Sequence, residues 1–240
     1  MTPSVDLASF RNDWYRPGRS TTVRIAWFFC GSAFVRSSLL PFSAPRRWAL
    51  RLFGASVGSG VVIKPGVRIK YPWRLKIGSN SWLGEDCWID NLELVELGKN
   101  VCVSQGVYIC TGNHDWSDCA FGLMVSPIIV CDGSWIGARS ILCPGVRLGE
   151  GSVAVAGSVV TRDIPAFEIH GGNPARFLQK RQIRDREPDL PEEADLASSY
   201  HAASSRFAVS ASQHERSATR ADIKWHTDAP SEEHHTAPSD

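Results

Sequence analysis

The stretch Val130-Cys-Asp-Gly-Ser-Trp-Ile-Gly-Ala-Arg-Ser-Ile-Leu-Cys-Pro-Gly-Val-Arg-Leu-Gly-Glu-Gly-Ser-Val-Ala154 has an apolar residue at every sixth position: Val130, Ile136, Leu142, Leu148 and Ala154. Val160 continues the series. Upstream the same spacing runs through Val57, Ile63 and Ile69, then Ile77, Leu83 and Ile89, then Leu97, Val103 and Ile109. Four residues after most of these anchors the side chain is small or β-branched, as at Ser81, Val101, Ser134, Ser140 and Ser152, and glycine often follows the anchor directly, as at Gly78 and Gly98. A six-residue period suits neither an α-helix nor one long alternating strand. It suits short strands joined by tight turns, three to a coil of roughly 18 residues, with the anchors stacked inside and glycines where the backbone bends. The expectation is an all-β solenoid, a parallel β-helix of hexapeptide repeats, whose anchors count out to five coils.

The breaks in the repeat all follow the third strand of a coil, after Ile69, Ile89 and Ile109, so they stack at one corner. The first two add two residues each; the third inserts fifteen, Thr111 to Val125. A loop of that length on a solenoid marks a place where function is carried.

Working outward, the chain divides into a flexible N-terminus over 1–19, a helical cap over 20–55, the β-helix with its C-terminal segment over 56–183, and a disordered tail over 184–240. The segments Val23–Phe29 and Arg46–Phe53, separated by Pro41 and Pro45, predict two short helices that would cover the open first coil. Their mixture of Trp, Phe and Arg also suits peripheral contact with a membrane surface. Val23 to Val35 is too short to span a bilayer. Arg176, Lys180 and Arg181 predict a short basic C-terminal helix. The tail is dominated by Ser, Ala, Glu, Asp, Arg and His and has lost apolar periodicity.

With 26 Lys and Arg against 25 Asp and Glu, the net charge of +1 offers nucleic acid no electrostatic footing. The seven cysteines are odd in number and contain no CxxC pair, so they read as reduced core fillers of a cytoplasmic protein. No apolar export signal is visible near the start. Membrane contact through the helices would place the protein at the inner face.

Five of the seven histidines lie in the tail, leaving His114 and His170. A catalytic zinc on a β-helix needs about three converging imidazoles, so no metal is expected. His114 sits in Cys110-Thr-Gly-Asn-His-Asp-Trp116, at the insertion corner. An imidazole there can take a proton from a hydroxyl that attacks a thioester and return it to the leaving thiolate. An oxyanion donor could come from Ser140 or a coil glycine. Arg162, Arg176, Lys180 and Arg181 could meet nucleotide phosphates; equally they could be a solvated basic face.

These motifs resemble the hexapeptide-repeat acetyltransferases, which include galactoside, maltose and chloramphenicol acetyltransferases, and the likeness is strongest to the colanic acid biosynthesis branch. It runs over about residues 20–180 and is carried by Leu50–Ala55, Val67–Trp73, Trp82–Asp86, Cys110–Asp115, Ala120–Leu123 and Gly172–Ala175. The resemblance implies a left-handed β-helix, a homotrimer with active sites between subunits, and acetyl-CoA as donor. It implies His114 as the catalytic base, Trp135, Ala138, Ala156, Thr161, Arg162 and Arg176 on the coenzyme A side, and Glu85, Asp86, Asp90 and Asn91 on the acceptor side. Arg162 stands where many relatives have lysine and keeps the charge.

The function expected is O-acetyl transfer to a sugar hydroxyl of an exopolysaccharide or envelope glycan precursor, free or lipid-linked. The alternatives are N-acetylation of an amino sugar and a non-catalytic trimeric scaffold.

Overall fold

The computed structural model describes residues 4–184, and the expected disordered tail lies outside the described residues from position 185 onward. The first coil is built from β1 (Ser56–Val57), β2 (Val62–Ile63) and β3 (Arg68–Ile69), and the second from β4 (Leu75–Ile77), β5 (Trp82–Leu83) and β6 (Trp88–Asp90). The third holds β7 (Val95–Leu97), β8 (Cys102–Val103) and β9 (Tyr108–Cys110). After an excursion through β10 (Gly112–His114) and β11 (Leu123–Val125), β12 (Ile128–Val130), β13 (Trp135–Ile136) and β14 (Ile141–Leu142) make the fourth. The fifth is β15 (Arg147–Leu148), β16 (Val153–Ala154) and β17 (Val159–Val160). Three parallel sheets result, the first ordered β1-β4-β7-β12-β15, the second running from β2 to β16, the third β3-β6-β9-β14-β17. Anchor stacks on anchor: Ile63 pairs with Leu83, Leu83 with Val103, Val103 with Ile136 and Ile136 with Ala154. All of them are buried.

The corners repeat as strictly as the strands. At the corner between the first and second faces the chain turns through Gly60, Asn80, Asn100, Gly133 and Gly151, with φ of 67°, 61°, 55°, 67° and 60°. Only glycine, and asparagine among ordinary residues, enters that left-handed region cheaply. The small residues before the next strand turn their hydroxyls onto the corners: between the first and second faces Ser81 Oγ donates to Gly98 O at 2.7 Å and Ser134 Oγ to Gly149 O at 2.8 Å, and between the second and third Ser140 Oγ donates to Val155 O at 2.9 Å. The hydroxyl of Ser140 is therefore spent inside the prism, which removes it as an oxyanion donor.

Beyond the five coils a sixth begins. Ile164 bridges to Leu148, and β18 (Glu168–Gly171) lies beside β16 on the second face. The anchor position there, opposite Ala154, is held by His170, which a count of aliphatic residues passes over. The expected C-terminal helix is instead a strand, β19 (Arg176–Lys180), paired antiparallel to β18. An open sheet edge recruits the following segment as its last strand, and that demand outweighs the weak helical preference of a basic run.

At the other end, α1 (Thr21–Cys30) runs on through a π-helical turn at Gly31–Arg36, and α2 (Ser43–Leu52) lies on the first coil. Leu50 and Ala49 are fully buried there, while Arg47 and Arg51 donate to Val61 O and Val57 O at 2.7 Å each. Ser43 Oγ donates to Ile63 O at 3.1 Å and accepts from Ile63 N at 3.0 Å, so the unpaired edge of the first coil is satisfied by side chains. Among the described residues no helix is long and apolar enough to cross a membrane.

Candidate active site

The fifteen-residue insertion leaves the third face at the end of β9 as a two-stranded hairpin, with Gly112 opposite Val125 and His114 opposite Leu123. Thr111, fully buried, pins its base: the hydroxyl donates to Asp90 O at 3.1 Å and accepts from Glu93 N at 2.9 Å, and Ser126 N closes on Thr111 O at 2.9 Å. His114 Nδ1 lies 2.9 Å from Phe121 O. A carbonyl only accepts, so Nδ1 carries the proton and Nε2 keeps a free lone pair. The ring is also held flat on Phe121, centroids 4.4 Å apart and 8° from parallel. Phe121 itself has φ of 52°, an unusual conformation for a bulky side chain and the kind of strain that gathers at working sites. Next door, Asp115 accepts from both the backbone and the hydroxyl of Ser117, and these bonds hold its carboxyl below the usual carboxylate range.

The N-terminal stretch expected to be flexible is instead laid against this hairpin. Asp6 N donates to Cys119 O at 2.9 Å, Phe10 stands 5.7 Å from the His114 ring, and Tyr15 OH donates to Leu92 O at 2.8 Å. Trp73 Nε1 donates to Pro17 O at 2.7 Å, and the Arg74 guanidinium lies over the Tyr15 ring at 5.4 Å. Burial pushes the Tyr15 phenol up to about 12, so it stays a neutral donor. The stretch thereby walls a cavity of about 450 Å³, whose lining includes Phe10, Asn12, Tyr15, Lys70, Leu92 and His114.

The expected acceptor-side residues do not gather there as a group. Asp90, at the end of β6, forms an ion pair with Lys70 at 2.9 Å and accepts from Tyr108 OH at 3.3 Å. Asn91 is fully buried, and its amide is used up inside the wall: Oδ1 accepts from Tyr71 N at 2.9 Å, and Nδ2 donates to Tyr71 O at 2.6 Å and Arg74 O at 3.0 Å. It braces one coil against the next and has nothing left for a ligand. Glu85 and Asp86 lie at a different corner, between the second and third faces, where Asp86 turns with φ of 58°.

The residues expected on the donor side also divide. Trp135 is 47% exposed on the second face, its indole N–H donating to Ser104 Oγ at 2.9 Å. Ala138 and Ala156 occupy successive rungs of the same corner as Glu85, where Gly157 N donates to Ala138 O at 2.8 Å. Thr161 and Arg162 follow β17, at the corner that carries His114 two coils below, and Arg176 opens β19. Both arginines are exposed and, among the described residues, neither pairs with a carboxylate, which fits them for phosphate. One chain therefore distributes the set over two edges of the prism.

A family model described as the hexapeptide repeat of succinyl-transferase matches residues 74–110 and 127–162. The chain is 35% identical over 167 residues to the colanic acid biosynthesis acetyltransferase WcaF assigned in Escherichia coli K12, covering 70% of this chain and 91% of that one. The chain belongs to the hexapeptide-repeat acetyltransferases. Among solved structures of hexapeptide-repeat acetyltransferases, a maltose O-acetyltransferase from Clostridium difficile 630 matches with a TM-score of 0.61 and 29% identity, covering 68% of this chain and 90% of that one. A galactoside acetyltransferase in complex with coenzyme A matches with a TM-score of 0.61 and 26% identity, over 71% and 86%. The solenoid is the left-handed β-helix of these enzymes.

In this acetyltransferase the wall that the sequence did not reveal is the N-terminal one. Phe10, Tyr15 and the Pro17-Gly18 turn were the available signal, an aromatic-bearing segment ending in a turn where a purely solvated leader would be polar throughout.

Proposed function

We propose that this acetyl-CoA-dependent acetyltransferase moves the acetyl group to a hydroxyl of a sugar in an exopolysaccharide or envelope glycan precursor, with His114 as general base. The observation that carries the reading is the bond between His114 Nδ1 and Phe121 O in a residue that lines a cavity. It orients the ring and leaves Nε2 to accept. Nε2 takes the hydroxyl proton as that oxygen bonds to the acetyl carbon; the carbon–sulfur bond breaks and the proton passes from the imidazolium to the departing thiolate. The Phe121 carbonyl accepts from the ring throughout and stabilises the charged form.

Acetyl-CoA supplies the thioester. Trp135, Ala138, Ala156 and Thr161 would hold it, with Arg162 and Arg176 toward its phosphates. The division of these residues between two edges of the prism supports a homotrimer in which the His114 hairpin of one chain meets the donor edge of the next. The names of the relatives, a colanic acid biosynthesis acetyltransferase and a galactoside acetyltransferase, support a sugar acceptor. The seven free thiols suit a reducing, cytoplasmic setting.

The test is thiol release from acetyl-CoA across a panel of sugars, comparing wild type with His114→Ala. Acceptor-dependent release should fall by about 10²–10⁴-fold in the variant, with an unchanged melting temperature. Equal turnover by both proteins would overturn the assignment of the base.

A further inference from the structure

The hydrogen bond and the stacked ring that orient His114 both come from one residue of its own hairpin, Phe121. A hairpin is joined to the coils at its base, here through Thr111 and Ser126. A swing of the whole arm would carry the imidazole and Phe121 together and leave their mutual geometry intact. Orientation within the hairpin is therefore not yet position within the cavity, and catalysis needs both. Among the described residues, the ring that meets His114 from outside the hairpin is Phe10, with centroids 5.7 Å apart and planes 59° from parallel.

The segment that carries Phe10 is tied at its two ends to different parts of the fold. At its start Asp6 N donates to Cys119 O at 2.9 Å, on the turn between β10 and β11. Asp6 then caps a single helical turn, Leu7–Ser9: its carboxylate accepts from Ala8 N at 3.0 Å, its carbonyl accepts from Ser9 Oγ at 2.7 Å, and Phe10 N closes on Leu7 O at 3.2 Å. At its end Tyr15 OH is bonded to Leu92 O and Pro17 O to the indole of Trp73, both on the coils. Between these ties Phe10 is turned inward and half-buried in the lining of the cavity, while Leu7 and Trp14 on either side are 66% and 57% exposed. The segment thus braces the tip of the hairpin against the body of the β-helix, and Phe10 is the point at which that brace bears on the imidazole. We propose that Phe10 is a positioning residue of the transferase, which fixes where His114 Nε2 stands in the cavity and keeps water from the ring. Its effect on turnover rests on the reading of His114 as general base; the contact itself stands on the geometry.

The test compares full-length wild type, Phe10→Ala, Phe10→Tyr and His114→Ala by two readouts. The first is turnover of acetyl-CoA with an acceptor that the wild type uses. The second is the rate at which diethyl pyrocarbonate modifies His114, located by peptide mass spectrometry and needing no turnover. In Phe10→Ala, kcat should fall by about 10–100-fold, with the acetyl-CoA KM within about twofold of wild type and the melting temperature unchanged, and His114 should be modified about fivefold faster or more as the ring loses its cover. Phe10→Tyr, which keeps the aromatic ring, should restore both readouts. Wild-type kcat in Phe10→Ala overturns the proposal. So does a fall in kcat with His114 modified at the wild-type rate, because the loss would then not pass through the imidazole. Wild-type turnover by His114→Ala would instead remove the base assignment, and the modification rates would still read the contact, so the two failures are told apart.

Discussion

At the scale of single residues, two polar side chains with similar prospects in the sequence part company in the structure. His114 sits on a hairpin with one ring nitrogen tied to a carbonyl and the other free; Asn91 has every polar atom turned into the wall. Residue type and position brought attention to His114 and the family resemblance to Asn91, but the direction of an amide or an imidazole is set by partners distant in the chain. Asn91→Ala should cost about 2–4 kcal/mol, because Tyr71 N and Arg74 O lose the partner Asn91 gives them and Tyr71 O keeps only the Arg74 N–H, while the acceptor KM of the folded protein stays near that of wild type. Denaturant unfolding and steady-state kinetics check the two halves. A large rise in KM with unchanged stability would return Asn91 to the acceptor site.

Elements obeyed the hexapeptide pattern wherever it was unbroken and departed from it at the ends. Every aliphatic anchor from Val57 to Val160 lies on an inward-facing strand position, and the insertion falls at the corner where the three breaks were expected to stack. The C-terminal segment departed because a free sheet edge is a tertiary fact, invisible to local propensity. That final hairpin carries its own electrostatic clasp: Glu168 accepts from His170 Nε2 at 2.9 Å and from Lys180 Nζ at 2.7 Å, and these bonds hold its carboxyl below the ordinary glutamate range. A carboxyl depressed on folding stabilises above its unfolded pKa, about 4.3, and that contribution is lost as pH falls through the lower folded value. Wild type should therefore melt above Glu168→Gln at neutral pH, and the two should converge on acidification. A gap that persists or widens in acid would show that the clasp works by packing alone.

For the whole molecule, the decisive feature is that His114 and the Ala138–Ala156 edge occupy different corners of one prism. A site shared between chains predicts complementation. On the roles proposed above, chains with His114→Ala would lack the base and chains with Ala156→Trp the donor edge, and the two should regain activity when unfolded and reassembled together, at roughly a quarter of the sites in a random mixture. Light scattering of the wild type should give three times the chain mass. No recovery in mixed assemblies of the right mass would place the complete site within a single chain.

What the sequence by itself determined is whatever repeats at short range: the six-residue spacing, the small residues and glycines that let coils stack, the corner that receives the insertion, and the histidine within it. These follow from sterics and burial acting on neighbours a few positions apart, and each coil restates them. Only the tertiary structure decided how the non-repeating parts close on that frame. Tyr15 reaches Leu92 across 77 positions and Trp27 reaches Ile69 across 42. Such contacts are single events without periodicity, made because an open cavity wall or an unpaired edge is stabilised by whichever segment can reach it, and only the folded chain shows which segment that is.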